Sequence, residues 1–159
     1  MKFILLIPLL LLAGCGVKMV QDHTLAKVNK MVYHFGDSSV PPEYHRSYTI
    51  TVTENDARIV VDSYGNILNE STVAVSSSGF KAILDVIKKS GIGNRSRRGD
   101  DGCVGGTMES MNLFVGQSEV FSGSVYYCGG EDYGDLCGNI ENVSKKMKGL
   151  FPNFSILVE

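Results

Sequence analysis

Polar and apolar residues alternate from Ser47 to Thr53. Tyr48, Ile50 and Val52 point one way; Ser47, Thr49, Thr51 and Thr53 point the other. A period of two carried by β-branched and aromatic residues predicts a half-buried strand. Met31-Val32-Tyr33-His34-Phe35 predicts an earlier strand. A loop from Gly36 to Glu43 separates the two, because Pro41-Pro42 cannot continue a ladder. Glu54-Asn55-Asp56 turns the chain into a strand from Arg58 to Tyr64, and Gly65-Asn66 turns it into another from Ile67 to Val75. Short turns between successive strands imply an antiparallel meander.

At Ser76 the period changes. Ser76-Ser77-Ser78 offers N-caps, and Phe80, Ile83, Leu84 and Ile87 follow at helical spacing. Lys88-Lys89 suit the negative end of that helix, and Gly91 suits the position just past it. Gly93 to Gly102 reads as a polar loop carrying Arg95, Arg97 and Arg98, then Asp100 and Asp101. Residues 104–114 and 119–128 read as a hairpin joined at Val115-Gly116-Gln117-Ser118, and Gly129 to Cys137 as a glycine-, acid- and tyrosine-rich loop. Asn139 is positioned to cap a second helix with Ile140, Val143, Met147 and Leu150 on one side, stopped by Pro152. Phe154 to Val158 is read as a closing strand. The expected fold is α+β: an antiparallel meander plus a hairpin forming one sheet, packed against two helices as a two-layer sandwich.

The amino terminus carries a different pattern. Met1-Lys2 is basic, Phe3 to Leu12 is almost wholly apolar, and Leu12-Ala13-Gly14-Cys15 follows at once. This is the layout of a secretory signal peptide, and the apolar run is about half the length that spans a bilayer. Leu-Ala-Gly-Cys behind such a run resembles the lipobox of bacterial lipoproteins. That resemblance implies cleavage before Cys15, diacylation of its thiol and usually acylation of the new amine. Two or three acyl chains anchor stably. Gly16, where an Asp often signals inner-membrane retention, implies the outer membrane, with the body facing the periplasm. The expected organisation is a signal peptide at 1–14, a lipidated cysteine and tether at 15–30, and one domain at 31–159.

The chain of 159 residues carries 15 Lys+Arg against 17 Asp+Glu, and cleavage before Cys15 removes Lys2, leaving a net charge near −3. Such a balance does not suit nucleic acid, which needs a basic face. Export places the protein where disulfides form. With Cys15 acylated, Cys103, Cys128 and Cys137 remain. If Gly116-Gln117 is the hairpin turn, Gly105 faces Cys128, and a bulge at Gly105-Gly106 would bring Cys103 opposite Cys128. Cys103–Cys128 is the leading pair and Cys128–Cys137 the alternative. No Cys-x-x-Cys or paired-His spacing points to a metal, and no cofactor is expected.

Catalytic motifs do not emerge. Ser122-Gly123-Ser124 lacks the Gly-x-Ser-x-Gly spacing of a nucleophile elbow. There is no His-Glu-x-x-His, phosphate loop or dinucleotide fingerprint. His34 and His45 fall within the expected domain, and a histidine beside a surface strand is more often a hydrogen-bonded bystander. An enzyme is therefore not expected. What remains is a tyrosine-glycine surface. Tyr126, Tyr127 and Tyr133 flank Gly129-Gly130 and Gly134, with Asp132 and Asp135 between. Binding loops favour rigid aromatic anchors among small adaptable residues, and a disulfide lowers the ordering cost of binding. Ser122-Gly123-Ser124-Val125-Tyr126 resembles the Ser-Gly-x-x-Tyr segment of periplasmic lysozyme inhibitors of the membrane-bound type. It does so over five residues; those inhibitors are all-β barrels, whereas two helices are expected here, and no residue role is carried over.

The expected function is a lipid-anchored protein-binding module. Its favoured form is an inhibitor or immunity protein against a toxin or hydrolase, with Tyr126, Tyr127, Asp132, Tyr133 and Asp135 as the contact residues. The alternative is a structural or assembly lipoprotein of an envelope complex, using the open face of the meander.

Overall fold

The computed structural model describes residues 17–99 and 103–159. Cys15, like Asp100 to Gly102, lies outside them. In chain order the elements are β1 (Lys18–Met19), a helical turn α1 (Asp22–Leu25), β2 (Lys30–Gly36), β3 (Ser47–Thr53), β4 (Asp56–Ser63), β5 (Asn66–Ala74) and α2 (Ser77–Lys89). There follow β6 (Gly93–Arg98), β7 (Thr107–Val115), β8 (Ser118–Cys128), β9 (Glu131–Cys137), α3 (Ile140–Lys148) and a second helical turn, α4 (Phe154–Leu157).

The strands form one antiparallel sheet in the order β1-β6-β9-β8-β7-β2-β3-β4-β5. The meander β3–β5 and the hairpin β7–β8 meet on opposite sides of β2, with Tyr33 opposite both Ile50 and Met111. Alternation puts Met31, Tyr33, Ile50, Ile59 and Met111 on one face, all fully buried. Against that face lie Phe80, Ile83 and Ile87 of α2 and Ile140, Val143 and Met147 of α3. The α+β two-layer arrangement expected from the pattern is the one observed.

Both helices begin as their sequences dictate. Ser76 Oγ accepts the Gly79 N–H at 3.1 Å, and Asn139 Oδ1 accepts the Asn142 N–H at 3.0 Å, satisfying backbone donors that a helix start leaves free. Gly91, at φ +63°, ends α2 in the left-handed conformation.

Several expectations are corrected. Residues 18–30, read as a tether, are stitched to the body: Lys18 and Met19 pair with Asn94 and Gly93, and Leu25 and Val28 enter the core. The polar segment at Gly93 is strand β6, and Gly129 to Cys137 is a turn followed by strand β9. Polarity suggested loops there, but a strand that forms its ladder near the sheet edge can keep its side chains in water. Phe154 to Val158 is not a strand. A helical turn satisfies its backbone locally and brings Phe154 and Leu157, three apart, onto the core together, with Phe154 edge-on to Tyr48 at 5.3 Å. The β4–β5 turn is Tyr64-Gly65 rather than Gly65-Asn66, with φ of +52° and +86°. Tyr64 is held in that strained conformation because its hydroxyl donates to the Val40 carbonyl at 2.6 Å and its ring stacks on His45 at 3.9 Å.

Cys103 and Cys128 form a disulfide with their Cα atoms 6.2 Å apart. The expected bulge lies elsewhere. Leu113 faces Phe121 and Phe114 faces Glu119, so the extra residue is Val120, near the β7–β8 turn. The shift sets Thr107 opposite Tyr127. Cys103 precedes the strand and folds back over Cys128. Gly106 permits this, because any Cβ there would meet the Tyr127 carbonyl and the Tyr126 ring. Closing a loop with a sequence separation of 25 stabilises a fold by about 3 kcal/mol.

Candidate binding site

At the end of β8 the chain reverses through Gly129 and Gly130, both at positive φ, +62° and +85°. Glycine adopts such angles without strain, so the pair makes a tight hairpin turn. The disulfide joins Cys128, the last residue of β8, to Cys103 and braces this tip from below. A concavity of about 480 Å³ lies at the tip, lined by Tyr127, Cys128, Gly129, Gly130, Glu131 and Asp132.

Because 131–137 is a strand, the five expected contact residues do not form one surface. Tyr126 pairs with Tyr133, and Tyr127 pairs with Asp132. Successive side chains of a strand point to opposite faces, so the two pairs lie on opposite sides of the sheet. Tyr127 shares the helix-covered face with Val125, but at its margin, and is 38% exposed. Tyr126 is half-buried on the open face. Its hydroxyl accepts the Gly106 N–H at 3.0 Å and donates to the Cys103 carbonyl at 3.4 Å, so it supports the disulfide loop. Tyr133 lies half-buried beside it. Asp135 Oδ1 accepts the Ser124 N–H at 2.9 Å, another internal role.

Asp132 is clasped by two arginines. Arg95 Nη1 reaches Oδ2 at 2.8 Å, and Arg98 Nη1 reaches Oδ1 at 2.6 Å. Their hydrogen bonds and charge, led by the bond from Arg95, hold the Asp132 carboxyl below its ordinary range. Burial first, then the negative charge of Glu109 and Asp132, raises the Tyr127 hydroxyl above its ordinary value. The tip thus presents a neutral phenol beside a fixed, charge-paired cluster. Arg95 and Arg98 are noticeable in the sequence as a basic run, but their joint ligand is not; only the β6–β9 pairing brings Asp132 to them.

His34 and His45 are engaged internally. His34 Nδ1 lies 3.0 Å from Thr49 Oγ1 across the β2–β3 ladder. His45 is buried against Tyr64, with Nε2 3.3 Å from Ser47 Oγ. Among the described residues Cys137 has no disulfide partner, and burial raises its ionisation above the ordinary value. Among the described residues no group of three or more His, Cys, Asp or Glu is placed to hold a metal ion, and no helix is long and apolar enough to cross a membrane.

The sheet face away from the helices is polar. One row of directly paired residues runs Ser124–Ser110–His34–Thr49–Val60–Glu70 across six strands. Compared with known proteins, the chain matches no family model, no curated protein and no solved structure.

Proposed function

We propose that this protein is a binding module of the bacterial cell envelope, lipid-anchored at Cys15 and facing the periplasm from the outer membrane. It recognises another protein, and the favoured form is an inhibitor or immunity protein directed at a toxin or hydrolase. The observation that carries the reading is the braced tip. An exposed tyrosine, a glycine turn and an arginine-clasped aspartate stand together, pre-ordered by a disulfide directly beneath. Rigid aromatic and arginine groups are the usual centres of binding energy, and pre-ordering removes much of the entropy cost of association. The contact set is Tyr127 and Asp132 with Arg98; Tyr126 and Asp135 are bonded internally, and Tyr133 lies on the other face.

The test is crosslinking and capture from envelope and secreted fractions with residues 17–159 exported as a soluble domain. A single stoichiometric toxin or hydrolase, inhibited on binding, is the expected result. Tyr127→Ala and Arg98→Ala should each weaken that complex at least about tenfold. A set of envelope-assembly proteins would replace this reading with the structural one. That second reading is favoured by the helix-free polar face of the sheet. The anchor is tested separately: Cys15→Ala should move the protein from membrane to soluble fractions and abolish acyl labelling.

A further inference from the structure

The sheet splits beside β8. β8 has eleven residues, yet β9 pairs with it only from Val125 to Cys128. Gly134, at φ +89°, turns β9 away, and its last residues, Leu136 and Cys137, pair with Asn94 and Gly93 of β6. Two side chains then stand in for the missing ladder. Asp135 Oδ1 accepts the Ser124 N–H, and Asn94 Nδ2 donates to the Ser122 carbonyl, each at 2.9 Å. These bonds mark the side of β8 that faces away from β7. Toward Ser118 no described residue continues the ladder on this side of β8: β9 ends at Cys137, and past it Asn139 bonds back to Ser90 rather than to β8.

Across this gap stands β1 with the turn after it. Between the two walls is a cleft of about 490 Å³, with Glu119, Val120 and Ser122 on one side and Lys18, Met19 and Gln21 on the other. Val120, the bulged residue, and Met19 are 40% and 46% exposed, so each wall carries a partly exposed apolar residue. Lys18 and Glu119 add one charge of each sign. Small-molecule sites are enclosed and mostly apolar; this cleft is open, polar and bordered by a strand edge. The Ile92 carbonyl stays bonded to the Val20 N–H on the far wall at 3.0 Å, so among the described residues the open place lies beside β8 and suits one extended chain.

We infer that this cleft receives an extended segment of a partner protein, which adds as a strand to the free side of β8. Main-chain hydrogen bonds supply the recognition, and an apolar side chain of the segment packs between Met19 and Val120. The site lies at the opposite end of β8 from the glycine turn and does not depend on the role of the tip.

The test uses the full chain as target for a phage-displayed random heptapeptide library. The enriched peptide is resynthesised with N-methyl groups at either of two alternating sets of positions. Strand addition predicts that one pattern weakens binding about tenfold while the other changes it less than about twofold, because only alternate amides face β8. Amide exchange should slow at Ser118–Ser122, and the exposed substitution Val120→Asp should weaken binding while Tyr127→Ala leaves it unchanged. Failure to enrich any peptide, equal effects of the two methylation patterns, or protection confined to the hairpin tip would each overturn the inference. Loss on Tyr127→Ala alone would point instead to the tip.

Discussion

Tyr126 holds Cys103 in place through its hydroxyl, which donates to the Cys103 carbonyl at 3.4 Å while accepting the Gly106 N–H at 3.0 Å. One phenol thus fixes both the start of the disulfide loop and the glycine that lets it pass β8. Tyr126→Phe keeps the ring and removes both bonds. The expected loss is about 1 kcal/mol, read as a lower urea midpoint at unchanged slope, with faster exchange of the Gly106 amide. Unaltered exchange there would mean that the loop is held by the disulfide alone.

His34 gives the fold a pH dependence. Burial, opposed by the charge of Asp62, lowers its proton affinity below that of an ordinary histidine. The unfolded chain then binds the proton more readily than the folded one. The stability contributed by neutral His34 is present above about pH 6.5 and is lost as the pH falls through the lowered folded value. Urea midpoints should therefore drop between neutral and mildly acid pH, and His34→Gln, which retains a partner for Thr49, should flatten that limb.

Asp132 acts further down the pH scale. Its folded ionisation lies below the ordinary carboxylate range, chiefly through the Arg95 hydrogen bond. Its contribution is present above about pH 4 and fades as the pH falls through the depressed value. The side chain is 42% exposed, so solvent screening keeps the effect below about 1 kcal/mol. Asp132→Asn should cost that much at neutral pH, less in high salt, and remove the acid-limb slope.

Gly134→Ala is expected to be the more damaging change. At φ +89° an alanine is strained, and its Cβ would run into the Ser124 carbonyl. A loss of about 2 kcal/mol or more follows, read as a lowered melting temperature. The parting of β8 and β9 depends on this residue, so a destabilised but folded variant should also show faster amide exchange at Ser124.

Much of the fold is legible in the residues. Tyr48, Ile50 and Val52 alternate because one face of β3 is covered, and they are buried as the alternation demands. The serine cap, apolar stripe and terminal glycine of α2 each act locally, so each can be read locally. β6 and β9 could not be read this way. Gly93-Asn94-Arg95-Ser96-Arg97-Arg98 has no apolar period, and its strand exists because β1 and β9 flank it. The same omission misplaced the contact surface. Once 131–137 is a strand, parity alone separates Tyr126 from Tyr127. The residues suggest the pairing of Cys103 with Cys128 through a bulge at Gly105-Gly106, whereas the register is set by Val120 at the far end of the hairpin.

The central position of β2 governs how the chain can fold. Its neighbours lie on either side of it in sequence: β3 follows after a short loop, but β7 begins at Thr107, more than seventy residues beyond Gly36. The meander can assemble early, yet the sheet cannot close until the hairpin β7–β8 has formed and found the far side of β2. Such distant pairings must overcome loop-closure entropy before they are rewarded, which places folding in the slow, millisecond-to-second regime of β-rich domains. Until then the unpaired edge of β2 is open to other extended chains, and the hairpin that later carries the glycine turn is also the piece that shields it.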